Sequence, residues 1–122
     1  MHWLHRWSKM MKQRFMPALL LVFPLIISAP SEASAMDADA AEKLARKSNC
    51  LKCHAIDKKK DSPSYKEVAA KYKGKPDAEE KLFVHATTNP KVKVDGKEEK
   101  HESLKTKNEA EVRNVIRWIL SR

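Results

Sequence analysis

Apolar residues recur at helical spacing in four places along the second two-thirds of this chain. Ala41, Leu44, Ala45 and Ser48 fall on one face of a helix expected over residues 37–48. Tyr65, Val68, Ala69 and Tyr72 form a second stripe, which Gly74 and Pro76 end. A third helix is expected to start near Asp77. Asp77 and Glu80 stand at capping-box spacing, and Ala78, Leu82, Phe83 and Ala86 supply its apolar face. The last stripe is the clearest: Asn108 caps it, with Glu111 at capping-box distance, and Val112, Val115, Ile116, Ile119 and Leu120 follow at i, i+3, i+4, i+7 and i+8. Trp118 lies on the shoulder of that face. Between the third and last stripes the period changes. In "KVKVDGKEEKH" Val92 and Val94 alternate with lysines, and Asp95-Gly96 is a strong short-range hairpin signal. A two-residue turn there would put His101 on the face of Val92 and Val94. The pattern predicts an all-α fold with a short hairpin or loop before the terminal helix. Periodic stripes of this kind are first of all a core signal.

The N-terminal part reads differently. "MHWLHRWSKMMKQRF" carries Arg6, Lys9, Lys12 and Arg14 and no acid, an apolar run extends from Met16 to Ala29, and Ala33-Ser34-Ala35 follows. A basic start, a short apolar run and a small-x-small site describe a secretory signal peptide. Cleavage is expected between Ala35 and Met36, with Met10 and Met11 as alternative starts. The competing reading is a membrane anchor. The run spans 14 residues and contains Pro17 and Pro24, whereas a spanning helix needs about 20. The expected organisation is therefore a leader over residues 1–35, a single mature domain over residues 36–122, a periplasmic location and no stable membrane insertion after leader removal.

A mature domain of this size buries little core and tends to lean on a metal, a cofactor or disulfides. Removing the four leader cations from 25 and Glu32 from 16 acids leaves 21 basic and 15 acidic residues, net +6. Lysines cluster at Lys58-Lys59-Lys60 and at Lys71, Lys73 and Lys75. A solvated surface accounts for such charge; so does docking to an acidic protein partner. The export signal and the few aromatics disfavour nucleic acid.

The only two cysteines lie in "NCLKCHAID", residues 49–57, with His54 directly after the second. Three readings compete. A redox-active Cys-x-x-Cys pair would sit beside a βαβ pattern, which is lacking here. A structural zinc site needs four ligands, usually as two pairs. The mature chain offers only His85 and His101 beyond the motif, outside the paired spacing. Covalent c-type haem is the third, and Cys-x-x-Cys-His is its attachment signature. It alone explains why Cys50, Cys53 and His54 are adjacent. Two thiols add to the vinyl groups on one porphyrin edge, and the next histidine reaches the iron. One haem c, bound through Cys50 and Cys53, is the expected cofactor.

With that motif, the chain resembles a class I c-type cytochrome of the small bacterial kind over most of residues 38–122. "NCLKCHAID" is similar to the family's haem motif, "SPSYKEVAAKYKGK" (62–75) to the loop and helix after it, and "EAEVRNVIRWILSR" (109–122) to its terminal helix with a tryptophan. The resemblance implies helices wrapped around one haem, with the helix of 37–48 crossing the terminal helix. It also implies that the Pro63 carbonyl accepts the Nδ1 hydrogen of His54, fixing the imidazole tautomer.

The chain departs from the family at the sixth ligand, usually a methionine in the loop before the terminal helix. Met1, Met10, Met11 and Met16 lie in the leader and Met36 opens the mature chain, so no methionine follows position 36. His101 stands in that loop, 17 residues before Trp118. Neutral imidazole is a common iron ligand. His54 and His101 are therefore the expected axial pair, with His85 as rival, for which a surface or propionate-side role is the plainer expectation. Two strong axial ligands leave no site for substrate. The expected function is a periplasmic one-electron carrier of lowered potential, not an enzyme, exchanging electrons with redox proteins that have acidic docking surfaces. The alternatives are a haem-based ligand binder or sensor, and a haem subunit of a larger oxidoreductase complex.

Overall fold

A computed structural model describes residues 35–122. The expected leader, but for Ala35, falls outside them. The chain runs α1 (Ala38–Lys47), α2 (Cys50–Cys53), α3 (Tyr65–Tyr72), α4 (Ala78–Thr87), β1 (Lys91–Val94), β2 (Lys97–Lys100) and α5 (Glu109–Leu120). No helix among the described residues is long and apolar enough to cross a membrane.

Helix α5 is the pillar on which α1, α3 and α4 pack. Val112, Val115 and Ile116 are buried as the stripe requires. Trp118 is not on the shoulder: it is 1% exposed and sits deep in the core. Its ring meets Tyr65 edge-on with centres 5.5 Å apart. On a single helix Trp118 points away from the centre of the aliphatic stripe, but α3 covers that side too, so the buried arc of α5 is wider than the stripe. Helix α1 and its C-cap contribute the small residues Ala41, Ala45 and Ser48, all 0% exposed, which allows close approach to α5. Asp37 ties the two ends together. Its N–H donates to Asn114 Oδ1 (2.9 Å), and Asn114 Nδ2 donates to the Asp37 carbonyl (2.8 Å).

Helix α4 is clamped to α5 by Arg113, which reaches Glu79, Glu80 and Glu109 at 3.3, 3.3 and 2.7 Å and lies over the Phe83 ring at 4.7 Å. Neither expected capping box at the α4 and α5 starts forms. Asp77 makes no side-chain cap and pairs instead with Lys81. Asn108 does cap α5, accepting from Ala110 N–H, but its own N–H goes to Thr106 Oγ1, and Glu111 accepts from the same threonine hydroxyl. A complete capping box stands at α3: Ser64 Oγ accepts from Glu67 N–H (3.2 Å), and Ser64 N–H donates to Glu67 Oε2 (2.7 Å).

The hairpin forms with the expected register. Val92 faces Glu99 and Val94 faces Lys97 across a turn in which Asp95 (φ +48°) and Gly96 (φ +80°) are both left-handed. That twist matches the right-handed twist of the strands. His101 N–H donates to the Pro90 carbonyl at 2.8 Å, extending the pairing by one step. His101 therefore does share the face of Val92 and Val94.

Candidate haem site

Between α1 and α3 the backbone folds back on itself and builds one wall of a cleft. Asn49, at φ +62°, ends α1 and starts the single turn α2. That turn sets Cys50 and Cys53 one helical turn apart, both as free thiols. His54 leaves it in extended conformation. Residues 53–56 then run beside 62–66: Ser62 N–H donates to the Cys53 carbonyl, Tyr65 to Ala55 and Lys66 to Ile56, at 3.1, 2.9 and 3.0 Å. These bonds bring Pro63 against His54. The His54 Nδ1–H donates to the Pro63 carbonyl at 2.7 Å, so Nε2 carries the free lone pair. Tyr65 stacks on the His54 ring with centres 5.3 Å apart and 19° between planes. Trp118, Tyr65 and His54 thus form a continuous aromatic column from the core to the cleft. Tyr65 was expected in the core and Trp118 on the shoulder of its stripe; the support that Tyr65 gives His54 was not expected.

The cleft has a volume of about 420 Å³. Its walls include Cys50, His54, Pro63, Tyr65, Val68, Leu82, Leu104, Val115, Ile116 and Ile119. The same cleft is lined by both remaining histidines of the described residues. His101 enters from the hairpin, its ring centre 6.2 Å from that of His54 and tilted by 59°. His85 enters from the last turn of α4, 4.3 Å from the His101 ring. His85 is half-buried in the cleft lining rather than on the surface, a place compatible with the propionate-side role also expected of it. The signal was in the sequence: Leu82, His85 and Ala86 stand at i, i+3 and i+4, and all three line the cleft.

The chemistry of these groups suits a flat, largely apolar metal-bearing cofactor. Burial, then the nearby His85 and His54, push the His101 imidazole down to about 4, so it is neutral at pH 7 with a lone pair to give. Its Nδ1 is buried without a hydrogen-bond partner, a cost that is unusual in a native interior. His85 is lowered by burial first, then by His54 and Lys71. Burial raises the Cys50 thiol, and a hydrogen bond with Tyr65 partly offsets this. Two imidazoles sharing one metal at bonds of about 2.0 Å would have ring centres roughly 6 Å apart, which the His54–His101 spacing matches. The donor set therefore fits haem: two thiols one helical turn apart, imidazoles in the same cleft and aliphatic walls.

Known proteins agree with this reading. The cytochrome c family model matches residues 38–122. Cytochrome c-551 of Azotobacter vinelandii is 33% identical over 86 residues, covering 68% of this chain and 98% of that protein. Cytochrome c-551 of Pseudomonas aeruginosa is 47% identical over 45 residues, 37% of this chain and 43% of the relative's length. Among solved structures, the class 1 cytochrome MtoD from Sideroxydans lithotrophicus ES-1 superposes with a TM-score of 0.68 at 53% identity, over 71% of this chain and 97% of that one. Cytochrome c552 of Nitrosomonas europaea superposes at 0.52 with 28% identity, over 66% and 96%. The motif, the cleft and these relatives agree: this chain belongs to the cytochrome c family, and its cofactor is haem c, attached covalently through Cys50 and Cys53.

Proposed function

We propose that this cytochrome is a periplasmic one-electron carrier whose iron is held by His54 and His101 and whose potential is lower than that of histidine–methionine relatives. The observation that carries the reading is the pair of imidazoles in one cleft, with ring centres 6.2 Å apart, in a chain that has no methionine after Met36. When bound, haem supplies a ferric–ferrous couple, and the identity of the axial ligands tunes it.

The protein's own groups do the rest. The Pro63 carbonyl fixes the His54 tautomer and ring orientation and raises the basicity of Nε2. Tyr65 holds the same ring from behind. The hairpin base holds His101 on the other side, through its N–H to Pro90 and its carbonyl to Asn89 Nδ2 at 2.9 Å. Leu82, Val115, Ile116 and Ile119 give the cleft an apolar lining. With His54 and His101 both holding the iron, the site would offer no position to a substrate, which suits electron transfer rather than catalysis. Methionine raises haem potential, and imidazole in its place lowers it. Lys71 and Lys93 stand at the cleft rim and, with the net positive charge, favour docking to an acidic surface of a redox partner. The leader pattern of residues 1–35 supports export.

The test is an absorption spectrum of the ferric and ferrous protein with and without carbon monoxide. A closed two-histidine site gives low-spin iron in both states, no near-infrared methionine band and slow carbon monoxide uptake. High-spin iron and immediate uptake would replace the carrier with a ligand-binding protein.

A further inference from the structure

We propose that His85 is a second distal imidazole, which takes the sixth iron position when His101 leaves it. The inference rests on the two-histidine reading above and extends it. The two rings lie 4.3 Å apart in the same cleft. They are carried by elements of very different anchorage. His85 is on α4, whose neighbouring Leu82, Phe83 and Ala86 pack against the core and whose first turn is clamped by Arg113. His101 hangs from a two-stranded hairpin. Every residue of β2 is exposed, and β1 is half-buried only at Val92 and Val94. Such a ribbon, with few buried apolar contacts, belongs to the part of a fold that opens first. The chain rejoins α4 at the Leu104 N–H to Ala86 carbonyl bond, 2.9 Å. Opening of the hairpin as far as that bond withdraws His101 while α4 stays packed, and the His85 side chain turns into the space that ring leaves, 4.3 Å away.

The exchange is balanced without any co-reactant. One iron–nitrogen bond, to His101, breaks; another, to His85, forms; the iron keeps its charge and no electron moves. Imidazole replaces imidazole, so the spin state is kept and the potential changes little. An ordinary single-ligand loop would leave the iron open on displacement. Here a partner that presses on the hairpin would meet a carrier whose coordination stays closed.

The experiment uses the haem-loaded protein as wild type, His85→Ala, His101→Ala and the double variant, read by spin state and by carbon monoxide uptake of the ferrous form. Wild type and His85→Ala are expected to be low-spin. His101→Ala is expected to stay low-spin, with an uptake rate that does not depend on carbon monoxide concentration because His85 must first leave. The double variant is expected to be high-spin, with a rate proportional to concentration. If His101→Ala fails to take up haem, His101→Asn keeps a polar side chain of intermediate size and is read the same way. A high-spin His101 variant that behaves like the double variant overturns the inference. So does a low-spin double variant, which would point to Lys71 or Lys93, and so does a high-spin His85→Ala, which would make His85 the resident ligand. A wild type that is already high-spin and binds carbon monoxide at once is a different result, because it refutes the two-histidine reading itself.

Discussion

Replacing both attachment cysteines, Cys50→Ala with Cys53→Ala, should leave a chain that cannot hold its native fold. The cleft they serve is about 420 Å³. At about 24 cal/mol per Å³ of unfilled core space, emptying it costs about 10 kcal/mol. That is an upper figure, since the cleft opens to solvent and water fills part of it. A domain of the 88 described residues is stable by roughly 4–13 kcal/mol, at 0.05–0.15 kcal/mol per residue. The two numbers are of one size, so the haem-free chain has little or nothing left. The loss is also badly placed, because Val115, Ile116 and Ile119 of the central helix α5 line the emptied space. The assay is a urea titration of the haem-free variant and the haem-loaded wild type, followed by far-ultraviolet circular dichroism. The variant should show reduced helix content and no cooperative transition. A cooperative transition with the wild-type midpoint and slope would refute the reasoning, because haem would then be a passenger in a self-sufficient core.

Other outcomes follow from single residues. Trp118→Ala deletes the 1%-exposed ring that supports Tyr65 and should cost about 3–5 kcal/mol, lowering Tm by at least about 12 °C at roughly 4 °C per kcal/mol; calorimetry of the haem-loaded protein checks it. Ser64→Ala opens the α3 capping box and should cost about 1 kcal/mol by urea titration. The Glu67 carboxyl in that box is held below its ordinary value of 4.5 by the Ser64 N–H and hydroxyl. Its contribution is present above pH 4.5 and lost as pH falls through the lower folded value, so the stability gap between wild type and Ser64→Ala should narrow under acid; a gap constant down to pH 2 would contradict this. Electron exchange with an acidic partner should slow as salt rises from about 10 to 150 mM and the Debye length falls from about 30 to 8 Å; a rate independent of salt would make the lysines merely solubilising.

Much of the site could be read in the chain because its signals are local. Cys50, Cys53 and His54 are contiguous, so no long-range information was needed to group them. The hairpin register, and with it the side of His101, followed from Asp95-Gly96 and the two-residue period of a strand. Pro63 was reached only through family resemblance. Its carbonyl meets His54 because residues 53–56 pair with 62–66, an arrangement without a period to read. Three local readings failed, two to rival partners close in sequence and one to packing from another helix. Asp77 is drawn to Lys81 and Glu111 to Thr106, so neither capping box closes. Trp118 looks peripheral on a helical wheel because the wheel does not include α3. His85 shares a face with Leu82 and Ala86, so its place in the cleft lining was legible from the same spacing that marks the stripe.

The account turns on two histidine nitrogens binding one iron. Pulsed electron paramagnetic resonance of the ferric wild-type protein, with all histidines labelled with nitrogen-15, counts them directly. Two labelled axial nitrogens are predicted. In the His85→Ala protein the count should still be two, with His54 and His101 as the pair. A single labelled axial nitrogen in the wild type would contradict the two-histidine site and, with it, the low-potential carrier.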